Sequence, residues 1–153
     1  MCFRPGGSVP KYIVDTQLVI RAFRHDDEAE RMNDFLSAFS RSVYLSSVVV
    51  QELLAGARDS EMRRLHRAFI RPFTQLKRVA TPTHASWVRT GHILRVLRRG
   101  GHTITPSFIN DVLVAASAVQ IGATVIQDNE KDFAAIQRAY PPVSFTAPWP
   151  APR

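Results

Sequence analysis

The run Asn110-Asp111-Val112-Leu113-Val114-Ala115-Ala116-Ser117-Ala118 continues through Ile121-Gly122 into Ala123-Thr124-Val125-Ile126-Gln127-Asp128-Asn129, and it constrains the fold more than any other stretch. Its first half reads as a buried helix with a carboxylate in its first turn. Its second half reads as a short apolar strand that ends on another carboxylate. Strands buried on both faces read as continuous β-branched runs, so this is the helix-to-parallel-strand half of an α/β unit. Open sheets of that kind bind ligands beyond the carboxyl ends of their strands, which puts Asp128 where chemistry is expected. Near the N-terminus Tyr12-Ile13-Val14-Asp15 is a second apolar strand ending on an acid.

Periodicity fills in the rest of the α/β alternation. After a Pro/Gly-rich arm over residues 1–10, a strand at 11–15 leads into a helix reaching Arg24, and Met32, Phe35, Leu36 and Phe39 repeat at helical spacing over 28–40. A second strand at 42–45 is followed by Ser46-Ser47, which cap a helix over 48–57. A basic helix over 60–71 is closed by Pro72, a third strand follows at 75–80, and Thr81-Pro82-Thr83 opens a long helix to Arg99. Pro106 begins the helix that carries Asp111, the fourth strand holds Val125 and Ile126, and a helix then runs to Ala139. An edge strand at 143–145 and a loose Pro-rich tail complete residues 141–153. The expected architecture is a single α/β domain over residues 11–140, with a central, mostly parallel sheet of four or five strands between helical layers.

Composition narrows the class of function. No apolar run approaches the roughly 20 residues a membrane span requires, and the first ten residues lack the apolar segment of a secretory signal. One cysteine, Cys2, allows no internal disulfide and suits a reducing cytoplasm. The net charge of +7 is concentrated: residues 58–99 hold eleven bases and two acids, whereas the segments on either side are nearly balanced. Seventeen of the twenty bases are arginine, the side chain best shaped for phosphate. A basic segment beside a few acids suits an enzyme that acts on a polyanion through a metal.

Each acid taken singly has an ordinary explanation. Asp15 serves as a helix cap, Asp111 as a first-turn acid, and Glu52 as the partner of an arginine. Taken together they say more. Two acids stand at strand ends, and two project from apolar, small-residue helix faces, where a carboxylate must be paired, protonated or metal-bound. Hard divalent cations such as Mg²⁺ take oxygen ligands of this kind together with water and phosphate oxygens. No cysteine pair or HExxH points to zinc, and His25, His66, His84, His92 and His102 read as surface or packing residues. A phosphatase that uses a strand-end Asp wants a second Asp at residue 17, where Gln stands, and a phosphoryl-transfer receiver wants an acidic pair before Asp15 that the chain lacks.

The segments Ile13-Val14-Asp15-Thr16, Ser46-Ser47-Val48 through Glu52-Leu53-Leu54-Ala55-Gly56, Asn110-Asp111 through Ala118, and Asp128-Asn129 through Asp132-Phe133 together resemble the PIN-domain nucleases. The resemblance is greatest to the VapC-type toxins of toxin–antitoxin pairs, and it implies a three-layer PIN-like α/β/α fold. It also implies that Asp15, Glu52 and Asp111 are three of the family's acids. After the last core strand the family shows Thr or Ser, a variable residue, then Asn or Asp. Here Gln127 replaces the hydroxyl residue, Asp128 falls on the variable position, and Asn129 aligns with the polar one. Either Asp128 supplies the fourth carboxylate one place early, or Asn129 and Asp132 complete the pocket.

By the same resemblance Asp15, Glu52, Asp111 and Asp128 are both catalytic and metal-holding, the ion being Mg²⁺ or Mn²⁺, with Thr16, Asn129 and Asp132 in support. The implied activity is metal-dependent hydrolysis of RNA, and the implied partners are a small antitoxin and a second copy of the chain. A catalytically impaired PIN-fold module that binds RNA or protein is the alternative, favoured by the altered fourth position.

Overall fold

The computed structural model describes residues 8–151. Most of the expected N-terminal arm, residues 1–7, lies outside the described residues, and residues 8–10 carry no regular structure. In chain order come β1 (Lys11–Val14), α1 (Thr16–Arg24), α2 (Asp26–Ala38), β2 (Val43–Ser46), α3 (Ser47–Gly56), α4 (Asp59–Arg64), a π-helical segment (Leu65–Ile70) and α5 (Arg71–Gln75). These are followed by β3 (Val79–Ala80), α6 (His84–Arg99), α7 (Pro106–Ile121), β4 (Ala123–Ile126), α8 (Glu130–Ala139) and β5 (Ser144–Thr146).

The five strands form one sheet in the order β3-β2-β1-β4-β5, and every neighbouring pair is parallel. Ile13 and Val14 are consecutive in β1, so their side chains point to opposite faces, yet both are buried, and Val125 and Ile126 of β4 repeat the pattern. Burial on both sides requires helices on both sides, which makes the fold a three-layer α/β/α sandwich. In register, Ile13 faces Val125 and Val14 faces Ile126, so the two central strands end level with each other. The strand order reverses between β1 and β4, and this reversal opens the ligand-binding crevice of an open α/β sheet.

Helix ends follow local chemistry. The Ser46 hydroxyl accepts from the Val48 N–H, Thr83 caps α6, and Thr105 caps α7 ahead of Pro106, where the missing proline N–H costs nothing. Gly122 closes α7 with φ of 68°, a left-handed conformation that suits glycine. The small side chains of Ala115, Ala116, Ser117 and Ala118 are all buried, so α7 packs closely into the core.

Three expectations need correction. Pro72 does not close the basic helix. The chain passes through the π-helical segment, where the Arg71 N–H bonds to the His66 carbonyl, and Pro72 then falls in the first turn of α5, where its missing donor is tolerated. Helix therefore takes up Gln75, the first residue expected in the third strand, and after a turn with Lys77 at φ of 54° the strand shrinks to Val79–Ala80. The tail is not loose over its whole length either: Trp149 packs its ring 5.3 Å from that of Phe35 on α2.

Candidate active site

Asp15 directly follows β1 and occupies the N-cap position of α1, yet its side chain makes no capping hydrogen bond of full geometry. Only 6% of it is exposed. Burial pushes its carboxyl up to about 6, and nearby Glu52 adds to the rise; the N–H groups of Thr16 and Gln17 pull the other way.

Asp111 is the sixth residue of α7, and the first turn of that helix holds no acid. Its expected place in the first turn is thus wrong by one turn, and the explanation as dipole compensation goes with it. Burial pushes its carboxyl up to about 8, and repulsion from Asp15, then Glu52, then Asp132 adds to the rise. No side-chain hydrogen bond or ion pair from another described residue relieves that repulsion, and the acid is held close to neutral at pH 7.

Glu52 projects from α3 toward the same place. The Thr16 hydroxyl donates to its Oε2 at 2.5 Å, and the Asn110 amide donates to its Oε1 at 3.1 Å. The arginine partner that would make this acid ordinary is not there among the described residues. Asn110 was not singled out from the sequence, because its role depends on a contact between α7 and α3.

At the fourth position the structure separates the expected candidates. Asp128 is half exposed and pairs with Arg21 of α1, and it is not among the acids that act on Asp111. Asp132, left open as an alternative, is. Gln127 is buried, and its Oε1 accepts from the Asn129 N–H at 2.5 Å, while Asn129 caps α8 and donates its amide to Asp132 Oδ2 at 2.6 Å. Asp128 lies against α1, while Asp132 stands near enough to Asp111 to add to its rise. His102, expected to be a surface or packing residue, stacks on Phe108 with centroids 4.3 Å apart and sets Nε2 3.8 Å from Asp132 Oδ1.

Asp15, Glu52 and Asp132 thus all act electrostatically on Asp111, with Thr16 and Asn110 hydrogen-bonded to Glu52 and Asn129 to Asp132. Two properties bear on a metal. The donors are all carboxylate oxygens that repel one another, which suits a hard cation. Yet among the described residues no three His, Cys, Asp or Glu side chains converge closely enough to hold an ion by themselves. The donor set fits a cation that keeps several waters, as Mg²⁺ does.

Comparison with known proteins agrees with this fold. The PIN domain family profile matches residues 12–139. A tRNA(fMet)-specific endonuclease VapC from Shigella flexneri is 27% identical over 123 residues, covering 80% of this chain and 89% of that protein. Among solved structures, DNA-bound VapBC from Salmonella typhimurium superposes with a TM-score of 0.69 at 22% identity, covering 90% of this chain and 98% of that one. VapBC2 from Rickettsia felis, bound to a promoter DNA fragment, gives 0.64 at 21% identity, covering 91% and 98%. At such identities the solved structures speak for the fold.

Proposed function

The chain belongs to the PIN-domain family, and from that premise we propose that it is a metal-dependent endoribonuclease and the toxin of a toxin–antitoxin pair. One observation carries the reading: Asp15, Glu52 and Asp132 all act on the half-buried Asp111, and no lysine or arginine among the described residues is paired with any of the four. Such a site is incomplete until positive charge arrives. Asp15 and Asp111, with Asp132, are the residues to hold Mg²⁺ or Mn²⁺; Asp128, the first candidate for the fourth position, stands aside with Arg21. When bound, the ion supplies charge neutralisation for a scissile phosphate and acidifies water.

The chain's own residues then have separate tasks. Glu52, with both oxygens held, orients the attacking water and takes its proton. Thr16 fixes Glu52, and Asn129 fixes Asp132. Exposed arginines of the basic segment, among them Arg63, Arg67 and Arg71, track the RNA backbone by neutralising phosphates. The substrate is single-stranded or structured RNA, a choice supported by the tRNA-specific relative. The antitoxin is a small protein that places a positive side chain among the carboxylates, and the toxin acts as a homodimer in the cytoplasm. The VapBC assemblies among the fold's solved neighbours support the partnership. No described helix is long and apolar enough to cross a membrane.

Cleavage of end-labelled RNA, followed through a Mg²⁺ and a Mn²⁺ titration beside the Asp15→Ala protein, tests the reaction. Cleavage that needs either ion and vanishes in the variant is expected; equal cleavage by the variant would reject the assignment. The binding-module alternative draws on Gln127 and on the diversion of Asp128, and any Mn²⁺-dependent cleavage excludes it. Induction of the chain alone should arrest growth, and co-expression of a small neighbouring gene should restore it. Unimpaired growth on induction would count against a toxin.

A further inference from the structure

Asn110 and Asp111 are consecutive residues of α7, and both act on Glu52 from the same helix. Asp111 shares an electrostatic field with Glu52, whereas Asn110 donates a hydrogen bond to Glu52 Oε1 at 3.1 Å. Thr16 of α1 holds the other oxygen, Oε2, at 2.5 Å. The direction of the amide bond follows from chemistry: an ionised carboxylate only accepts, so Asn110 must present its NH₂ group. Each oxygen of Glu52 is thereby met by a donor from a different helix. Repulsion from the neighbouring acids would otherwise favour this carboxylate turning away.

We propose that Asn110 is a positioning residue for Glu52, its amide holding the carboxylate aimed at the reacting water against the push of the neighbouring acids. The inference rests on the nuclease reading of the site. It predicts a residue requirement at position 110 that is set by donor chemistry, with shape secondary. An aspartate there has almost the same shape, carries no donor when ionised, and adds repulsion. A serine keeps a donor in a smaller side chain.

The test measures cleavage of a labelled RNA at saturating Mn²⁺ by the wild-type protein and by Asn110→Asp, Asn110→Ala and Asn110→Ser, with kcat and KM obtained separately. Asn110→Asp should lower kcat by at least about thirtyfold and Asn110→Ala by about tenfold, with KM within about twofold, as expected for loss of an interaction that serves the transition state. Asn110→Ser should recover part of the loss. A double-mutant cycle with Glu52→Gln, read by melting temperature in all four proteins, supplies a measure that does not need activity. The effect of Asn110→Asp on melting should be much smaller in the Glu52→Gln background. Full kcat in Asn110→Asp, or equal melting shifts in both backgrounds, would overturn the proposal. If the wild-type protein cleaved no RNA with either ion, the nuclease reading would fall, and the melting cycle would still decide whether Asn110 acts through Glu52.

Discussion

Replacing Asp111 with asparagine should stabilise the metal-free protein while abolishing its activity. Asp111 has an ordinary value of 3.8 and is pushed up to about 8 in the fold, first by burial and then by Asp15, Glu52 and Asp132. An acid whose folded value exceeds its unfolded value makes the folded state bind the extra proton. The penalty is therefore absent below about pH 4, grows as pH rises, and is complete above about pH 8. At about 1.4 kcal/mol per pH unit the full interval gives roughly 5–6 kcal/mol as an upper limit. Four acids share the repulsion and water reaches a partly exposed cluster, so about 2–3 kcal/mol is the fair expectation at pH 9.

For a chain of this size that gain corresponds to a melting temperature higher by roughly 5–10 °C. The assay is thermal or urea denaturation of wild type and Asp111→Asn at pH 5, 7 and 9, in EDTA and again with Mg²⁺ or Mn²⁺. In EDTA the difference between the proteins should widen steadily with pH. Added ion should stabilise the wild type, by about 2.7 kcal/mol at a hundredfold excess over the dissociation constant, and should do much less for the variant. A variant no more stable than wild type at pH 9 in EDTA would refute the reasoning, because the acids would then not be straining the fold.

Other outcomes follow from the same geometry. Asp132→Asn should reduce RNA cleavage more than tenfold while Asp128→Ala stays within a few-fold of wild type; the reverse order would return the fourth position to Asp128. Arg67→Ala and Arg71→Ala should each weaken RNA binding at all sequences and lower the slope of log K against log salt by about one, as measured by anisotropy on an inactive background. Gly122→Ala should lower stability by about 1–2 kcal/mol in urea melts without changing kcat, because its φ of 68° strains any L side chain.

The framework of the site was legible from sequence because its signals are local. Tyr12 to Asp15 is an apolar strand running into an acid, and Glu52 sits among Val48, Val49, Ala55 and Gly56, so both stand out by contrast with their neighbours. What was not legible depends on how a turn directs its side chains or on contacts across the fold. The fold-back of Gln127 onto the Asn129 N–H and the pairing of Asp128 with Arg21 shape the turn after β4, and no periodicity encodes them. The donor role of Asn110 is equally invisible until α7 lies against α3. The π-helical register that carries helix past Pro72 and shortens β3 is a local change of hydrogen bonding that the apolar spacing does not reveal.

The strand order has a consequence for how the protein is made. β1 leaves the ribosome first, yet it ends in the middle of the sheet, and its partner β4 starts only at Ala123. Through most of the domain's translation the strand leading to Asp15 therefore lacks one of its two neighbours, and pairings this distant in sequence form slowly. The crevice between β1 and β4 has no second wall until that pairing forms. If the chain is the nuclease proposed above, its site assembles only after most of the domain has been made, which gives a second protein time to arrive.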